Sequence, residues 1–472
     1  MTLAVNSNMY PVDTGATMVC MKILITGYGK MGSTLVRQLS NDDYDLTIIE
    51  SDPDKLESCM ELYDVMGVQG NSASMAVLRE AGVEDADLLI AMTGHDEINL
   101  LTCITAHQMN TKINTISRLK NPEYLGQINS MQSAYSLSMT VNPDFQAAKE
   151  ISRLIRYPGF LKRETFAKSN TEIVELKVKP ESPLDGLSLF KINQALKCQI
   201  LVCAVLRDGK ALIPSGDFVL KVNDRIFVTG SNENLNVLLR NLGIITHKAS
   251  TAFIAGGSRI GFYLSKILQS HGISVQIIEN KGGRCRELAS QLPDATIVEA
   301  DASDQKVLDR EGIRNSDVFV ALTGMDETNI LMSLYANQQG VPQVITKLGR
   351  AENLRVLEDL PVGSVISPKD LVTNIIVRYV RAKKNKVGAA LTMHLIADGH
   401  VEAMEFRVAE NTLHCNEKLR DIRVKKDVLV AGITRNGVNE IPTGDSEFRV
   451  GDTLIIISGE DRKIEQINDI FE

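Results

Sequence analysis

The stretch Lys22 to Asp52, KILITGYGKMGSTLVRQLSNDDYDLTIIESD, constrains the fold of this chain more than any other. Residues 23–26 are a short apolar run, the pattern of a parallel strand buried on both faces. Gly27, Gly29 and Gly32 then spell G-x-G-x-x-G, and Leu35, Val36 and Leu39 mark the helix that follows. The first glycine permits a tight turn, the second lets a pyrophosphate approach the backbone, and the third lets helix and sheet pack closely. Free N–H groups at the helix start then face the phosphates. A second apolar run, 46–49, ends at Glu50, 18 residues past Gly32. An acid at that place accepts hydrogen bonds from both ribose hydroxyls of an adenosine. Its charge repels a 2′-phosphate, so NAD is expected over NADP.

The same unit returns. Thr251 to Glu279, TAFIAGGSRIGFYLSKILQSHGISVQIIE, is again strand, glycine turn, helix, strand and acid. Gly256, Gly261 and Glu279 each lie 229 positions after Gly27, Gly32 and Glu50. Further on, DLLIAMTGHDEIN at 87–99 matches DVFVALTGMDETN at 317–329, now 230 apart. A repeat of this length is a duplication rather than an array of small units. Between these segments, 68–71 and 297–301 read as short strands, the first ending in Gly70 and Asn71. Strand and helix alternate throughout, which implies a parallel doubly wound sheet in each copy. Ligands of such sheets bind beyond the carboxyl ends of the strands. Gly70, Asn71, Thr93 and Gly94 fall at such ends in the first copy, as do Thr323 and Gly324 in the second. Arg118 and Lys347 close a later strand in each copy; either cation would pair with a phosphate or stand as a solvated charge.

Each copy is followed by a proline, Pro143 or Pro368, suited to the first turn of a helix. Phe145, Ala148, Ile151, Leu154 and Ile155 then form one apolar stripe, and Leu371, Ile375, Ile376 and Tyr379 another. Such helices would pack on this chain or bridge to a partner. A different unit follows each helix. ILVCAVLRDG at 200–209 and VLVAGITRNG at 428–437 are apolar runs closed by hairpin dipeptides. Arg207 to Pro214 and Arg435 to Pro442 share one spacing, and V-x-D-x-[IL]-x-[VI] runs begin at 222 and 450. This is a small β-rich α+β domain, present twice.

The organisation is therefore A-B-A-B. We expect a disordered extension at 1–20, a first Rossmann-like domain at 21–140, and linking helices at 141–168. A first small domain at 169–240, a second Rossmann-like domain at 249–366, a linking helix at 367–390 and a second small domain at 391–472 complete the chain. The fold class is α/β: two Rossmann-like doubly wound parallel sheets alternating with two small α+β domains. With 44% hydrophobic and 23% charged residues among 472, sizeable cores are available. A net charge of −8 argues against a nucleic-acid binder, which carries a basic face. No apolar run approaches the ~20 residues needed to span a bilayer. The seven cysteines form no C-x-x-C pair and read as reduced thiols.

KILITGYGKMGSTLVRQL, VLREAGVEDADLLIAMTGHDEINLL and the repeated ends VNDRIFVTG at 222–230 and VGDTLIIISG at 450–459 resemble the TrkA family of bacterial Trk potassium-uptake regulators. The resemblance covers residues 21–472. It implies tandem RCK domains, each an RCK-N lobe plus an RCK-C lobe, assembled as a homo-oligomer on the inner face of the plasma membrane. There the assembly would bias a membrane potassium channel or transporter through NAD⁺ or NADH, with ADP and ATP as further candidates. The resemblance assigns the pyrophosphate to Gly27, Tyr28, Gly29, Lys30 and Met31, with Gly32 closing the loop. It assigns the ribose to Glu50, the adenosine side to Thr93 and Gly94, and a phosphate to Arg118. The second lobe would use Gly256, Gly257, Ser258, Arg259, Ile260, Gly261 and Glu279. Ser258 stands where the first lobe has Gly29, so this second site is expected to differ in affinity or nucleotide preference.

The rival reading is an NAD-dependent oxidoreductase, which needs an acid–base group beside the nicotinamide. Of the seven histidines, His95 alone falls near a ligand edge, and Met325 is its counterpart. A catalytic constellation and a metal set are therefore not expected. Asp96 and Glu97 suit a helix N-terminus better than a metal. A third reading is a structural scaffold whose nucleotide folds bind nothing.

Overall fold

In the computed structural model the described residues are 20–40, 42, 44–124, 127, 137–156, 162–166, 171–243, 249–349, 360–384, 390–459 and 464–472. The expected extension at 1–20 lies outside them except for Cys20. The chain divides into one unit up to Val141 and another from Asn142 onward.

The first unit is a six-stranded parallel sheet. Its strands are β1 (Met21–Thr26), β2 (Tyr44–Glu50), β3 (Met66–Gln69), β4 (Leu88–Ala91), β5 (Asn114–Arg118) and β6 (Met139–Val141), in the order β3-β2-β1-β4-β5-β6. The order reverses between β1 and β4, which is the switch point where such sheets bind ligands. The strands are apolar on both faces because helices cover both. Ile23, Ile25, Ile48 and Ile90 are fully buried, as are Leu35, Val36 and Leu39 of the helix Lys30–Leu39.

The second unit opens with the helix Pro143–Arg156, followed by β7 (Lys162–Phe166), β8 (Thr171–Lys177), β9 (Ile200–Arg207), β10 (Lys210–Leu212) and β11 (Arg225–Gly230). These strands form an antiparallel sheet, β10-β9-β11-β8-β7. A second six-stranded parallel sheet follows: β12 (Thr251–Ala255), β13 (Ser274–Glu279), β14 (Thr296–Glu299), β15 (Val318–Ala321), β16 (Gln343–Lys347) and β17 (Ser364–Ile366). Its order, β14-β13-β12-β15-β16-β17, repeats that of the first unit strand for strand. After the helix Pro368–Lys384 come β18 (Thr392–Ile396), β19 (Val401–Arg407), β20 (Val428–Arg435), β21 (Val438–Glu440) and β22 (Thr453–Gly459), ordered β18-β19-β22-β20-β21. Two parallel doubly wound sheets thus alternate with two antiparallel ones.

The hairpin dipeptides do what their chemistry demands. Asp208 and Gly209 (φ 52° and 73°) join β9 to β10, and Asn436 and Gly437 (φ 52° and 80°) join β20 to β21. Both central residues are left-handed, the two-residue turn whose twist suits a hairpin. The shared arginine spacing also acquires a cause. Arg207 holds Asp224 by two hydrogen bonds, Nε to Oδ1 at 2.7 Å and Nη2 to Oδ2 at 2.6 Å. Arg435 holds Asp452 in the same way, at 3.0 and 2.7 Å.

The helices after the prolines pack on this chain. Pro143–Arg156 lies against both Arg259–Ser270 and Pro368–Lys384. Ala148, Ile151 and Ile155 are buried as expected, but Phe145 is 38% exposed and edges the ring of Tyr263 at 5.4 Å. In the later helix the buried row is Val372, Ile376 and Val380, with Leu371, Ile375 and Tyr379 half-buried beside it. The apolar arc is wider than one row, and contact with the neighbouring helix and β18 selects its centre. The two antiparallel sheets share a core: Phe166, Cys203 and Phe227 of one sheet pack in one cluster with Val401, Ala403 and Ile455 of the other.

Candidate functional site

In the first unit the turn after β1 is set by steric demands at two glycines. Gly27 has φ 88°, and a Cβ there would stand 3.0 Å from the backbone of Thr93. At Gly32 a Cβ would fall 1.9 Å from the Gly27 carbonyl oxygen. Gly29 differs from both. It has φ −79°, and a Cβ there meets no protein atom within 4 Å. No side chain caps the helix that starts beside it. A Cβ at Gly94 likewise meets no protein atom within 4 Å. Bare backbone and uncapped N–H groups at a switch point are features that suit an anion. Lys30 is exposed, whereas Met31 is buried.

Glu50 is held by backbone. Its Oε2 accepts from the N–H of Tyr28 at 2.6 Å, and its Oε1 accepts from the N–H groups of Ser51 (2.8 Å) and Asp52 (3.1 Å). Partial burial pushes the carboxyl up, but the hydrogen bonds from Tyr28, Asp52 and Ser51 outweigh it and hold the group below the usual glutamate range. Glu50 is therefore a fixed anion beside the glycine loop. Gly70 continues the sheet, its N–H donating to the Glu50 carbonyl at 2.9 Å, and a Cβ on it would strike Val77. Asn71 turns its side-chain oxygen onto the N–H of Ala73.

At the end of β4 an organising residue emerges that the sequence reading passed over. Asn99 is fully buried, and its Oδ1 accepts from both the N–H (2.8 Å) and the hydroxyl (2.7 Å) of Thr93. Its amide donates to the Arg118 carbonyl at 2.9 Å. The Arg118 guanidinium, 6% exposed, donates to the Thr93 carbonyl and lies 3.7 Å from Met31 Sδ. Its charge thus sits beneath the Thr93-Gly94 turn, not in solvent. Asp96 accepts from the N–H groups of Lys120 and Asn121, and Glu97 accepts from the Tyr124 hydroxyl, so both acids have local structural partners.

The second parallel sheet reproduces the frame. Asn329 holds Thr323 and the Lys347 carbonyl, and Lys347 Nζ donates to the Thr323 carbonyl at 2.6 Å. Glu279 accepts from the N–H groups of Gly257 (2.8 Å) and Lys281 (2.9 Å). A cleft of about 730 Å³ opens here, lined among others by Gly256, Gly257, Ser258, Glu279, Thr323 and Gly324. That volume suits a drug-sized or dinucleotide ligand. The glycines play different parts from those in the first sheet. A Cβ at Gly257 would lie 2.5 Å from Leu288, and one at Gly261 would lie 2.8 Å from the Gly256 carbonyl oxygen. Ser258 caps its helix, its hydroxyl accepting from Gly261 N–H at 3.4 Å. That hydroxyl takes one donor that the first sheet leaves open. Arg259 turns away from the cleft to pair with Asp144 at 2.8 Å, leaving only its backbone to a ligand; Ile260 is buried. Arg284, absent from the sequence reading, also lines the cleft and donates to the Gly257 carbonyl at 2.7 Å.

The TrkA-N domain model matches residues 23–139 and 252–368, and the TrkA-C domain model matches 173–243 and 403–472. The chain belongs to the TrkA family. The "Trk system potassium uptake protein TrkA homolog" of Archaeoglobus fulgidus is 33% identical over 96% of this chain and 100% of its own length. The Trk system potassium uptake protein TrkA of Haemophilus influenzae is 28% identical over 96% of this chain and 99% of that protein. Among solved structures, the GsuK channel bound to NAD superposes with a TM-score of 0.61 at 18% identity, covering 96% of this chain and 78% of that one. The GsuK RCK domain gives 0.61 at 19% identity over 97% and 96%. The TrkA-family tandem domains therefore have the RCK fold. Among the described residues no helix is long and apolar enough to cross a membrane.

Proposed function

We propose that this protein is the nucleotide-binding regulatory subunit of a Trk-type potassium uptake system. It acts as a homo-oligomer on the inner face of the plasma membrane, biasing the gate of a membrane potassium channel or transporter, and performs no catalysis of its own. One observation carries the nucleotide reading: Gly29, unlike Gly27 and Gly32, borders open space at an uncapped helix start. The potassium system is inferred from the family relatives, which are Trk system potassium uptake proteins.

NAD⁺ or NADH fits these residues, with ADP and ATP as alternatives; GsuK was solved with NAD and with ADP. The backbone from Gly27 to Gly32 would hold the pyrophosphate, Glu50 the ribose, and the Thr93-Gly94 turn the adenosine side. Gly70 and Asn71 border the ribose, while Arg118 would add positive potential under the phosphate. In the second lobe, Gly256 to Gly261 and Glu279 would serve the same ends. The ligand supplies binding free energy rather than chemistry. It moves a gate only through different affinities for the two states of the assembly. The glycine loop at 256–261 leads into the helix Arg259–Ser270, which carries the helix Pro143–Arg156, and the Arg259–Asp144 ion pair joins the two. Tightening of that loop would therefore reorient both helices.

The reading is tested by calorimetry with NAD⁺, NADH, ADP and ATP on the purified chain, alongside potassium uptake in a deletion strain lacking redundant transporters. Saturable binding and lost uptake at low external potassium are expected. Normal uptake would overturn the transport assignment, and turnover of a hydroxy or oxo substrate would restore the dehydrogenase reading.

A further inference from the structure

The two lobes differ in charge just past the acid that ends their second strand. In the first lobe residues 50–57, ESDPDKLE, carry four acids and one cation. That cation, Lys55, is paired with Asp52 at 2.7 Å. In the second lobe residues 279–286, ENKGGRCR, carry one acid and three cations. Two of these, Lys281 and Arg284, line the cleft with Glu279. Arg284 is held over the glycine loop by the Gly257 carbonyl and is braced by Glu287 at 2.8 Å. Three acids stand near them: Glu299, whose carboxylate lies against Gly282, and Glu279 and Asp301, which have local partners. Each oxygen of Glu279 already accepts a backbone N–H. Asp301, on the opposite rim, turns Oδ1 onto the N–H and hydroxyl of Ser303 at 2.9 and 2.8 Å.

We infer that the second-lobe cleft accepts an adenine nucleotide phosphorylated on the adenosine ribose, as in NADP, and that Lys281 and Arg284 determine this specificity. The inference rests on the nucleotide reading above. An extra phosphate at the end of the second strand meets Glu279 in this lobe as it would meet Glu50 in the first, but here Lys281 and Arg284 stand beside the acid and offset its charge, whereas the residues after Glu50 add three more acids and one cation already paired. An arginine in this part of a Rossmann-type unit has the planar donor fork that a 2′-phosphate requires.

The test is calorimetry of NAD and NADP with two full-length variants. Gly29→Asp places a carboxylate in the first cradle and so reports the second lobe. Ser258→Asp keeps a helix-capping side chain in the second lobe but adds a repelling charge, and so reports the first. The NADP-to-NAD ratio of dissociation constants should be at least tenfold lower in the second lobe. Adding Lys281→Asp, at an exposed position, to the Gly29→Asp chain should weaken NADP by a factor at least fivefold larger than that by which it weakens NAD. Arg284→Gln should act in the same direction. Equal ratios in the two lobes would overturn this specificity while leaving nucleotide binding intact. Failure of the second lobe to bind either nucleotide while the first lobe still binds would overturn this specificity together with the second-lobe site, and failure of both lobes would overturn the nucleotide reading itself.

Discussion

Glu50 Oε2 accepts the backbone N–H of Tyr28 at 2.6 Å, so the acid that ends β2 is tied to the turn that opens the glycine loop. Glu279 and Gly257 repeat the relationship at 2.8 Å. The acid thus has two jobs. It orders the loop, and under the proposed function it also sets a negative charge beside the adenosine ribose.

Glu50→Ala should therefore change both stability and specificity. Several backbone N–H groups lose a charged acceptor, and a contact of that kind is worth about 1.5–3 kcal/mol. The melting temperature should fall. NAD affinity should drop, and the preference for NAD over NADP should shrink, because ribose hydrogen bonds and a repulsive charge disappear together. Calorimetry on chains with the second lobe blocked gives the ratio. An unchanged ratio would reject the ribose role.

The glycines of the first loop should separate folding from binding. Gly29→Asp meets no protein atom near its Cβ and keeps an ordinary φ, so the chain should melt within a few degrees of wild type. Its carboxylate would occupy the phosphate cradle, and nucleotide binding to the first lobe should vanish. Gly32→Ala instead drives a methyl to 1.9 Å from the Gly27 carbonyl oxygen. That contact is backbone and cannot give way cheaply, so Gly32→Ala should unfold or markedly destabilise the first unit. Thermal melts with and without nucleotide distinguish the cases; wild-type affinity in Gly29→Asp would remove the assigned site.

Asp317 offers a pH test away from any ligand. It accepts from the N–H and hydroxyl groups of both Ser250 and Thr251. Burial pushes its carboxyl up, but these donors outweigh it and bring the group to about 2. Its folded value lies below the unfolded value of about 3.9. The stabilisation is therefore complete above pH ~4 and lost as pH falls toward ~2. Asp317→Asn should melt lower than wild type at pH 7, and the gap should close as pH drops from 4 to 2. A gap independent of pH would show that the charge contributes nothing.

What the sequence revealed was local or periodic. The hairpin at Asp208-Gly209 follows from two residues that tolerate left-handed backbone, and the β1 to β2 segment follows from its apolar runs and glycine spacing. The duplication then doubled every such signal. What stayed hidden depends on residues brought together by the fold. Asn99 orders the turn after β4 by reaching the carbonyl of Arg118, and Arg118 reaches back to Thr93. The repeated T-G-x-D-E-x-N spacing was visible, and the paired Asn99 and Asn329 were the signal to follow. Arg259 was assigned to the cleft by its place in the loop, but Asp144, 115 residues away in sequence, draws its side chain elsewhere. No local pattern encodes that pairing.

Arg225 joins the two antiparallel sheets asymmetrically, which sets up the last prediction. Its Nε donates to Glu175, which is almost fully buried, while Nη1 and Nη2 donate to Asp398 at 2.6 and 2.9 Å. Burial pulls the guanidinium down, but Glu175 and Asp398 outweigh it and raise it further above its ordinary value. The partners differ in exposure: Glu175 is 3% exposed and Asp398 is 54% exposed. An exposed ion pair contributes about 0–1 kcal/mol, whereas removing one partner of a buried pair costs about 3–5 kcal/mol. Asp398→Asn should therefore change the unfolding free energy by less than about 1 kcal/mol. Arg225→Met should cost about 3 kcal/mol, because it strands the Glu175 carboxylate in the shared core. Replacing both members in Arg225→Met/Glu175→Gln should recover part of that loss. Denaturant melts of the three variants provide the comparison. Equal effects of Asp398→Asn and Arg225→Met would show that the bridge between the sheets, rather than the buried glutamate, is what Arg225 sustains.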